Sequence, residues 1–257
     1  GVNPERADII VAGAAILDSL MEALGVAAIR PLAECGVREG LVLDYLGRYS
    51  DAMAAYSPAV RERSVRQLAR SAAVDEGHAL HVADLAQGLF DSAAEAGLHP
   101  YGDAERELLR YAALMHDAGT FLSYSDHHAH SYYLIRNADL LGFDQREVAA
   151  MAAIALFHRK SRPGPRHAAF LELDGATQDA VRTLSAYLRI AEYLDRGHCA
   201  AVVRATLSKG NSGDLILDVT PARDWHLERW RLEDRRAVVE DALGHGLIVR
   251  ESPVSTA

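Results

Sequence analysis

Histidines and aspartates recur on the apolar stripes of several segments with helical periodicity. His78 starts a stripe that continues at Val82, Leu85 and Leu89, and this spacing predicts that His78 faces the protein interior. The other members lie on comparable stripes, or one step beside them: His116, Asp117, His130, His158 and Asp195. Because the six positions lie on five different segments, we expect their side chains to meet between helices.

Such a set of side chains is suited to binding a metal. A buried carboxylate without a partner costs several kcal/mol, so Asp117 and Asp195 need cations or hydrogen bonds. Nitrogen and oxygen ligands without thiolate are compatible with Mn, Fe, Mg, Zn or Ni, and the set does not choose among these metals. Two ions that share Asp117 as a bridge would use all six residues, and two-metal sites favour phosphoryl displacement.

An alternative holds for each histidine taken alone, because a histidine on an apolar stripe is usually a core residue with its hydrogen bonds satisfied. The joint occurrence, in the order His, His-Asp, His, His, Asp, is much harder to obtain by chance. We assign His81, His127 and His128 to supporting or surface positions.

A basic segment directly follows the last of these histidines. Arg159, Lys160, Arg162 and Arg166 are its cations, and residues 158–167 contain no acid. Positive side chains beside metal ions would bind an anionic, phosphate-bearing substrate. The alternative, of equal weight, is a solvated basic loop.

The composition limits the class of protein. The 257 residues carry 27 basic and 36 acidic side chains, a net charge of −9, so a protein that coats duplex nucleic acid is not expected. Hydrophobic residues make up 49% and charged residues 25%, as in soluble globular proteins. Two cysteines favour a reducing, cytoplasmic location, and neither a membrane helix nor a signal peptide is predicted.

The elements that must position these residues are mostly helical. Helical periodicity dominates from residue 58 to residue 197, whereas β-branched alternation at 201–208 and 215–220, a helix at 225–243 and a strand at 247–249 predict a small β-β-α-β unit. Residues 1–49 are too few for a core of their own. We therefore expect a mainly α protein with three parts: a helical remnant (1–49), a helical domain (58–197) and a small α+β subdomain (198–257).

The motifs resemble those of a known family. Residues 2–17 (VNPERADIIVAGAAIL) and 36–46 (GVREGLVLDYL) resemble the end of the actin-like domain of the exopolyphosphatase/guanosine pentaphosphate phosphohydrolase (Ppx/GppA) family. Four further stretches resemble its HD domain: DEGHALHVADLA (75–86), residues 111–143, FHRK (157–160) and LRIAEYLDR (188–196). The tail is similar to the family's C-terminal subdomain.

The resemblance implies a set of metal ligands. The HD motif falls on His78, His116-Asp117 and Asp195, and further ligand positions of dinuclear members fall on His130 and His158. Only the last helices of the actin-like domain are expected in the chain, so the family's exopolyphosphatase activity is not expected to come from that domain. The start at Gly1-Val2-Asn3 looks like that of a chain that begins inside a longer gene product, or of a divergent reading frame.

Two functions remain open, ahead of a purely structural role in which hydrogen bonds satisfy all the histidines. The first is hydrolysis of polyphosphate or a phosphorylated nucleotide with one or two divalent metals, in which Asp117, Arg159 and Lys160 are catalytic and Arg162 and Arg166 help to bind phosphate. The second is a non-catalytic module that binds polyphosphate or a guanosine tetra- or pentaphosphate and mediates dimerisation. A homodimer is expected in either case. The complete ligand set favours the enzyme, and the missing actin-like domain favours the module.

Overall fold

A computed structural model describes residues 9–29, 36–42, 58–210 and 212–253. The chain divides into two units, Gly1–Gly40 and Leu41–Ala257. Within the described residues, helices dominate and a small sheet lies near the C-terminus. The prediction of a mainly α protein with a small α+β subdomain is therefore confirmed.

The first unit contains helix α1, Ile10–Leu24, which ends at Gly25 in the left-handed conformation (φ 65°) as the sequence predicts. None of the α1 residues is buried. Ala28 and Ile29, where a short edge strand is expected, are not in a strand, and residues 37–42 are helical. The rest of the expected strand and residues 43–49 of the expected second helix lie outside the described residues.

The second unit contains the helices on which the candidate site depends. Their bounds are α2 Pro58–Ser71, α3 Glu76–Glu95, α4 Asp103–Met115, a 3₁₀ turn Ala118–Phe121, α5 His127–Arg136, α6 Gln145–Phe157, α7 Ala168–Leu171 and α8 Gly175–Leu194. Three of the helices begin at an aspartate whose side chain accepts hydrogen bonds from first-turn amides: Asp75, Asp144 and Asp174. These caps satisfy amides that would otherwise lack partners, and so fix where each helix starts.

The C-terminal part forms a three-stranded sheet with two helices. Strand β1, Val202–Lys209, pairs antiparallel with β2, Leu215–Pro221, and β2 pairs parallel with β3, Leu247–Glu251. The single helix expected at 225–243 is two helices, α9 His226–Asp234 and α10 Arg236–Leu243. Arg235, at φ −110° and ψ 11°, interrupts the helical backbone between them.

The sheet packs on the helix that carries His78. The hydroxyl of Ser92 in α3 accepts a hydrogen bond from the Leu207 amide in β1 (2.9 Å), and the ring of His81 lies 2.8 Å from the Val202 carbonyl. Residues of the helices and of the sheet share one buried hydrophobic core. The expected boundaries at residues 49, 58 and 197 stay a prediction.

No helix among the described residues is long and apolar enough to cross a lipid bilayer.

Candidate metal centre

His78 enters the site from the first turn of α3. Its amide is bound by the cap residue Asp75 (3.1 Å), and its ring is almost fully buried. The ring Nδ1 lies 2.8 Å from Asp195 Oδ2, and Nε2 lies 3.1 Å from Glu192 Oε2. A carboxylate only accepts, so without a metal both ring nitrogens donate, Nδ1 to Asp195 and Nε2 to Glu192.

Glu192 and Asp195 lie one helical turn apart at the end of α8 but have different neighbours. Glu192 Oε2 contacts the Nε2 atoms of both His78 and His116, the latter at 3.3 Å. Asp195 contacts His78 from the opposite, Nδ1 side, and its other oxygen accepts from the Ala200 amide (2.8 Å). The structure thus brings Glu192 among the imidazole Nε2 atoms, whereas Asp195 orients the His78 ring.

His116 and Asp117 lie where α4 ends. The Nδ1 of His116 donates to the Ala113 carbonyl (2.7 Å), which leaves Nε2 directed at Glu192. Asp117 lies between two groups of histidines: its oxygens are 4.0 Å from His78 Nε2 and 3.7 Å from His116 Nε2 on one side. On the other side, Asp117 Oδ1 is 3.2 Å from His127 Nε2.

His158 and His127 complete the arrangement from the end of α6 and the start of α5. The Nδ1 of His158 donates to the Ala155 carbonyl (2.6 Å), and its Nε2 lies 3.3 Å from His127 Nε2. His127 has two tautomers with partners, because its Nδ1 is 3.1 Å from the Tyr124 carbonyl and 3.2 Å from Arg159 Nη1. With the proton on Nδ1, His127 donates to Tyr124 and turns an Nε2 lone pair towards His158.

A close helix contact at Gly119 places α5 over Asp117. The Gly119 amide donates to the Ser131 hydroxyl (2.8 Å), which in turn donates to the His116 carbonyl. A Cβ on Gly119 would overlap the His127 carbonyl oxygen and lie 2.7 Å from the Cβ of His130. His130 lies one turn after His127 and packs against Gly119. Its ring nitrogens are not close enough to other candidate ligand atoms among the described residues to form a metal-binding group with them.

Arg189 of α8 holds the segment that follows His158. Its side chain is almost fully buried, and its guanidinium donates to the carbonyls of Phe157 (2.6 Å), Ser161 (2.9 Å) and Lys160 (3.3 Å). These carbonyls lie at and just beyond the C-terminus of α6, where a cation is favourable. Arg189 therefore fixes the chain on both sides of His158.

We call six residues the His/Asp/Glu cluster: His78, His116, Asp117, His127, His158 and Glu192. Candidate ligand atoms lie within 4.8 Å of one another in three overlapping groups: His78–His116–Glu192, His78–Asp117–His198 and His116–Asp117–His158. Asp117 belongs to two of these groups. One ion at His78, His116 and Glu192 and a second at His127 and His158 would both have Asp117 within reach.

The donor atoms of the cluster are suited to binding a cation. Asp117 Oδ1 is buried without a hydrogen-bond partner among the described residues, although His127 Nε2 is only 3.2 Å away. The contact is therefore close but not aligned for a hydrogen bond. A buried acceptor without a donor is costly. A divalent ion with nitrogen and oxygen ligands would satisfy Asp117 Oδ1.

The pKa values of the cluster follow from burial and from these contacts. For His78, burial lowers the pKa, but the hydrogen bonds to Asp195 and Glu192 outweigh it and raise the pKa to about 10. For His158, burial and then the neighbouring His116 lower the pKa to about 3. His158 is therefore neutral at pH 7, as a metal ligand must be, whereas a metal at His78 must displace a proton.

The four cations of the basic segment have different surroundings. Arg159 is half-buried and contacts His127 of the cluster. Lys160 pairs with Asp126, and Arg162 pairs with Asp241 on α10. Arg162 and Arg166 line a groove against α10 of about 590 Å³ that none of the cluster residues lines. Of the four, the structure brings only Arg159 into contact with the cluster.

The sequence pattern did not single out Glu192 or His198, and it assigned His127 to a supporting or surface position, whereas His127 is buried and lies 3.2 Å from Asp117 Oδ1. Glu192 lies on the buried stripe of α8 together with Leu184 and Leu188, a position that the sequence pattern could have indicated. His127 is the first residue of α5, so the helix start decides that it points inward. His198 is exposed and stacks on the His78 ring (3.6 Å between centroids, 3° between planes).

Comparisons with known proteins identify the family. A family model described as Ppx/GppA phosphatase, domain III, matches residues 60–236. The chain therefore belongs to the Ppx/GppA phosphatase family, as the sequence motifs predict.

Curated relatives carry a more particular name, guanosine-5'-triphosphate,3'-diphosphate pyrophosphatase. The relative from Aeromonas hydrophila subsp. hydrophila is 33% identical over 198 residues, which cover 74% of this chain and 36% of the relative. The relative from Aeromonas salmonicida is 32% identical over 162 residues, with 62% and 30% covered. A third, from Pseudoalteromonas translucida, is 29% identical over 166 residues, with the same coverage. The chain spans about a third of the length of these relatives.

Proposed function

We propose that the His/Asp/Glu cluster binds one or two divalent metal ions and that the chain hydrolyses a phosphorylated nucleotide. The observation that carries the proposal is the convergence of four imidazoles and the Glu192 carboxylate near Asp117, whose buried Oδ1 has no hydrogen-bond donor among the described residues. The relatives' name gives the candidate substrate, guanosine-5'-triphosphate,3'-diphosphate. The HD-type assignment of the helical domain is part of the same proposal.

The residues have separate roles. Asp117 would hold both ions, since it lies between the two sets of histidines, and Asp195 and the Ala113 and Ala155 carbonyls would keep Nδ1 protonated so that Nε2 remains a ligand. A divalent ion in this site would polarise a phosphoryl group and lower the pKa of water.

The phosphate-binding groups are expected at the arginines that contact the cluster. Arg159 lies beside His127, and Arg196 donates to Glu192 Oε1 (3.4 Å). Guanidinium groups bind phosphate through paired hydrogen bonds. Lys160 would have to exchange Asp126 for the substrate in order to take its expected part, and Arg162 and Arg166 would act only on a long anion that reaches their groove.

The alternative is a non-catalytic module that binds polyphosphate or a guanosine polyphosphate. Its support is the length of the chain, because about two thirds of each relative lies outside the matched region. In this case nucleotide binding would require neither metal nor the carboxylate of Asp117.

Metal content and turnover test the proposal. The purified chain should contain a transition metal, or bind Mg²⁺, in a fixed ratio, and should release phosphate from guanosine-5'-triphosphate,3'-diphosphate. Asp117→Ala should empty both positions, and His158→Ala should empty only one. A native chain that binds nucleotide without metal and without turnover would establish the binding module instead.

A matched pair of variants separates Glu192 from Asp195. Glu192→Gln removes the carboxylate that contacts two imidazoles and should abolish binding of one ion. Asp195→Asn removes only the orienting partner of His78, and losses of this kind are roughly 10- to 100-fold in metal affinity. Full, equal loading of Glu192→Gln, or of Asp117→Ala, would contradict the ligand assignment.

A further inference from the structure

An exposed aromatic segment lies between Asp117 and His127 in the chain. Phe121 and Tyr124 are 63% and 60% exposed, although they flank a buried and highly polar cluster. Hydrolysis as proposed above uses neither ring. Exposed apolar patches that are rimmed by polar residues can mark ligand-binding grooves.

Tyr124 is held in place although most of it is exposed. Its hydroxyl accepts a hydrogen bond from Arg196 Nη2 (3.1 Å), and its main-chain carbonyl lies 3.1 Å from His127 Nδ1. The Arg159 guanidinium carbon lies 5.4 Å from the ring centroid, within the range of a cation–π contact. The ring is therefore oriented before any ligand arrives, which lowers the entropic cost of binding.

The two arginines that hold Tyr124 also contact the cluster. Arg196 spans from the Tyr124 hydroxyl to Glu192 Oε1 through its two Nη atoms. Arg159 similarly lies between the Tyr124 ring and the ring of His127. A flat apolar ring and two cations thus adjoin the cluster together.

We infer that Tyr124 stacks on the base of a nucleotide whose phosphates contact Arg159 and Arg196, so that this residue selects nucleotides over bare phosphate chains. Aromatic side chains bind bases in this way with little dependence on sequence. The inference rests on the proposed function for the position of the phosphates. It adds a specificity-determining residue that takes no part in the chemistry.

Two ligands with the same phosphate chain test the inference: GTP and inorganic tripolyphosphate, titrated calorimetrically into the full chain. Tyr124→Leu should weaken GTP binding roughly tenfold, because stacking contributes about 1–3 kcal/mol per base, and should change tripolyphosphate binding less than about twofold. Tyr124→Phe keeps the ring and should retain most of the GTP affinity. Tyr133→Leu, at another exposed tyrosine (62%), is the matched control and should alter neither.

Several results would overturn the inference. An unchanged GTP affinity in Tyr124→Leu would do so, as would an equal loss for both ligands, which would mean that the residue acts only through Arg196. Failure of the native chain to bind GTP would also overturn it. Metal content and phosphate release are measured separately, so a chain without metal and without phosphate release that still shows the Tyr124-dependent preference would refute the proposed function and leave this inference standing.

Discussion

Replacement of Gly119 by alanine would separate α5 from the end of α4. The new Cβ would overlap two main-chain atoms of α5, the His127 oxygen and the Ser131 nitrogen, and would lie 2.7 Å from the His130 Cβ. At His130 alone, relief to an ordinary contact of 3.4 Å requires a shift of 0.7 Å, and the two main-chain atoms must move further. The main-chain atoms of a helix are fixed relative to one another by its hydrogen bonds, so α5 must move as a whole.

The shift of α5 should lower the stability of the fold and weaken metal binding. Overpacking typically costs about 1–3 kcal/mol, and we expect about 3 kcal/mol here because the Gly119–Ser131 hydrogen bond is lost as well. For a domain of this size the melting temperature should fall by roughly 6–12 °C. Ligand distances in metal sites are kept within roughly 0.2 Å, so the ion that we propose at His127 should also be lost.

Thermal unfolding and metal content of Gly119→Ala measure both effects. Gly175→Ala is the matched control, because a Cβ at Gly175, in the first turn of α8, would meet no atom within 4 Å. We expect this control to keep native stability and full metal content. A Gly119→Ala protein with native melting temperature and native metal content would refute the close approach of α5 to Asp117.

Two further predictions concern His78 and Arg189. In the chelator-treated chain, the raised pKa of His78, about 10, should stabilise the fold fully below pH 6.5. This contribution to the free energy of unfolding, roughly 3–5 kcal/mol, should disappear as the pH rises towards 10. Urea unfolding at a series of pH values measures it. A His78→Gln variant whose stability has the same pH dependence as the native chain would contradict it. Arg189→Met should lower the free energy of unfolding by about 2–4 kcal/mol, because three carbonyls lose a charged donor. Arg182→Met, at an exposed arginine of the same helix, should cost less than about 1 kcal/mol, and equal losses in the two variants would argue against the special role of Arg189.

Sequence periodicity was sufficient for those cluster residues that lie within or at the ends of long helices. His78, His116 and His158 lie on apolar stripes at helical spacing, and the structure brings all three close to Asp117. The periodicity reports which stripe faces inward, but it does not report which of two acids one turn apart reaches the centre. Glu192 lies within α8, whereas Asp195 follows its last residue, Leu194, with a non-helical backbone (φ −126°, ψ 36°) and contacts His78 Nδ1.

The position of α5 could not be obtained in the same way. Whether His127 or His130 faces the cluster depends on where α5 begins and on the close contact of Gly119 with α5. This contact joins two separate segments of the chain, so the apolar periodicity of either segment does not reveal it. The break at Arg235 is of the same kind, since the apolar pattern of residues 225–243 is compatible with one helix. The homodimer and the cytoplasmic location stay predictions.

The hydrogen bonds that orient the three imidazole rings through Nδ1 differ in how easily a mutation removes them. His116 and His158 are oriented by main-chain carbonyls, at Ala113 and Ala155, and no side-chain substitution at those two positions removes a carbonyl. His78 instead depends on the carboxylate of Asp195. Packing restricts substitution at the two fully buried alanines, but the hydrogen bonds to His116 and His158 survive any replacement that keeps the helices. A single codon change at residue 195, in contrast, deprives His78 of its partner.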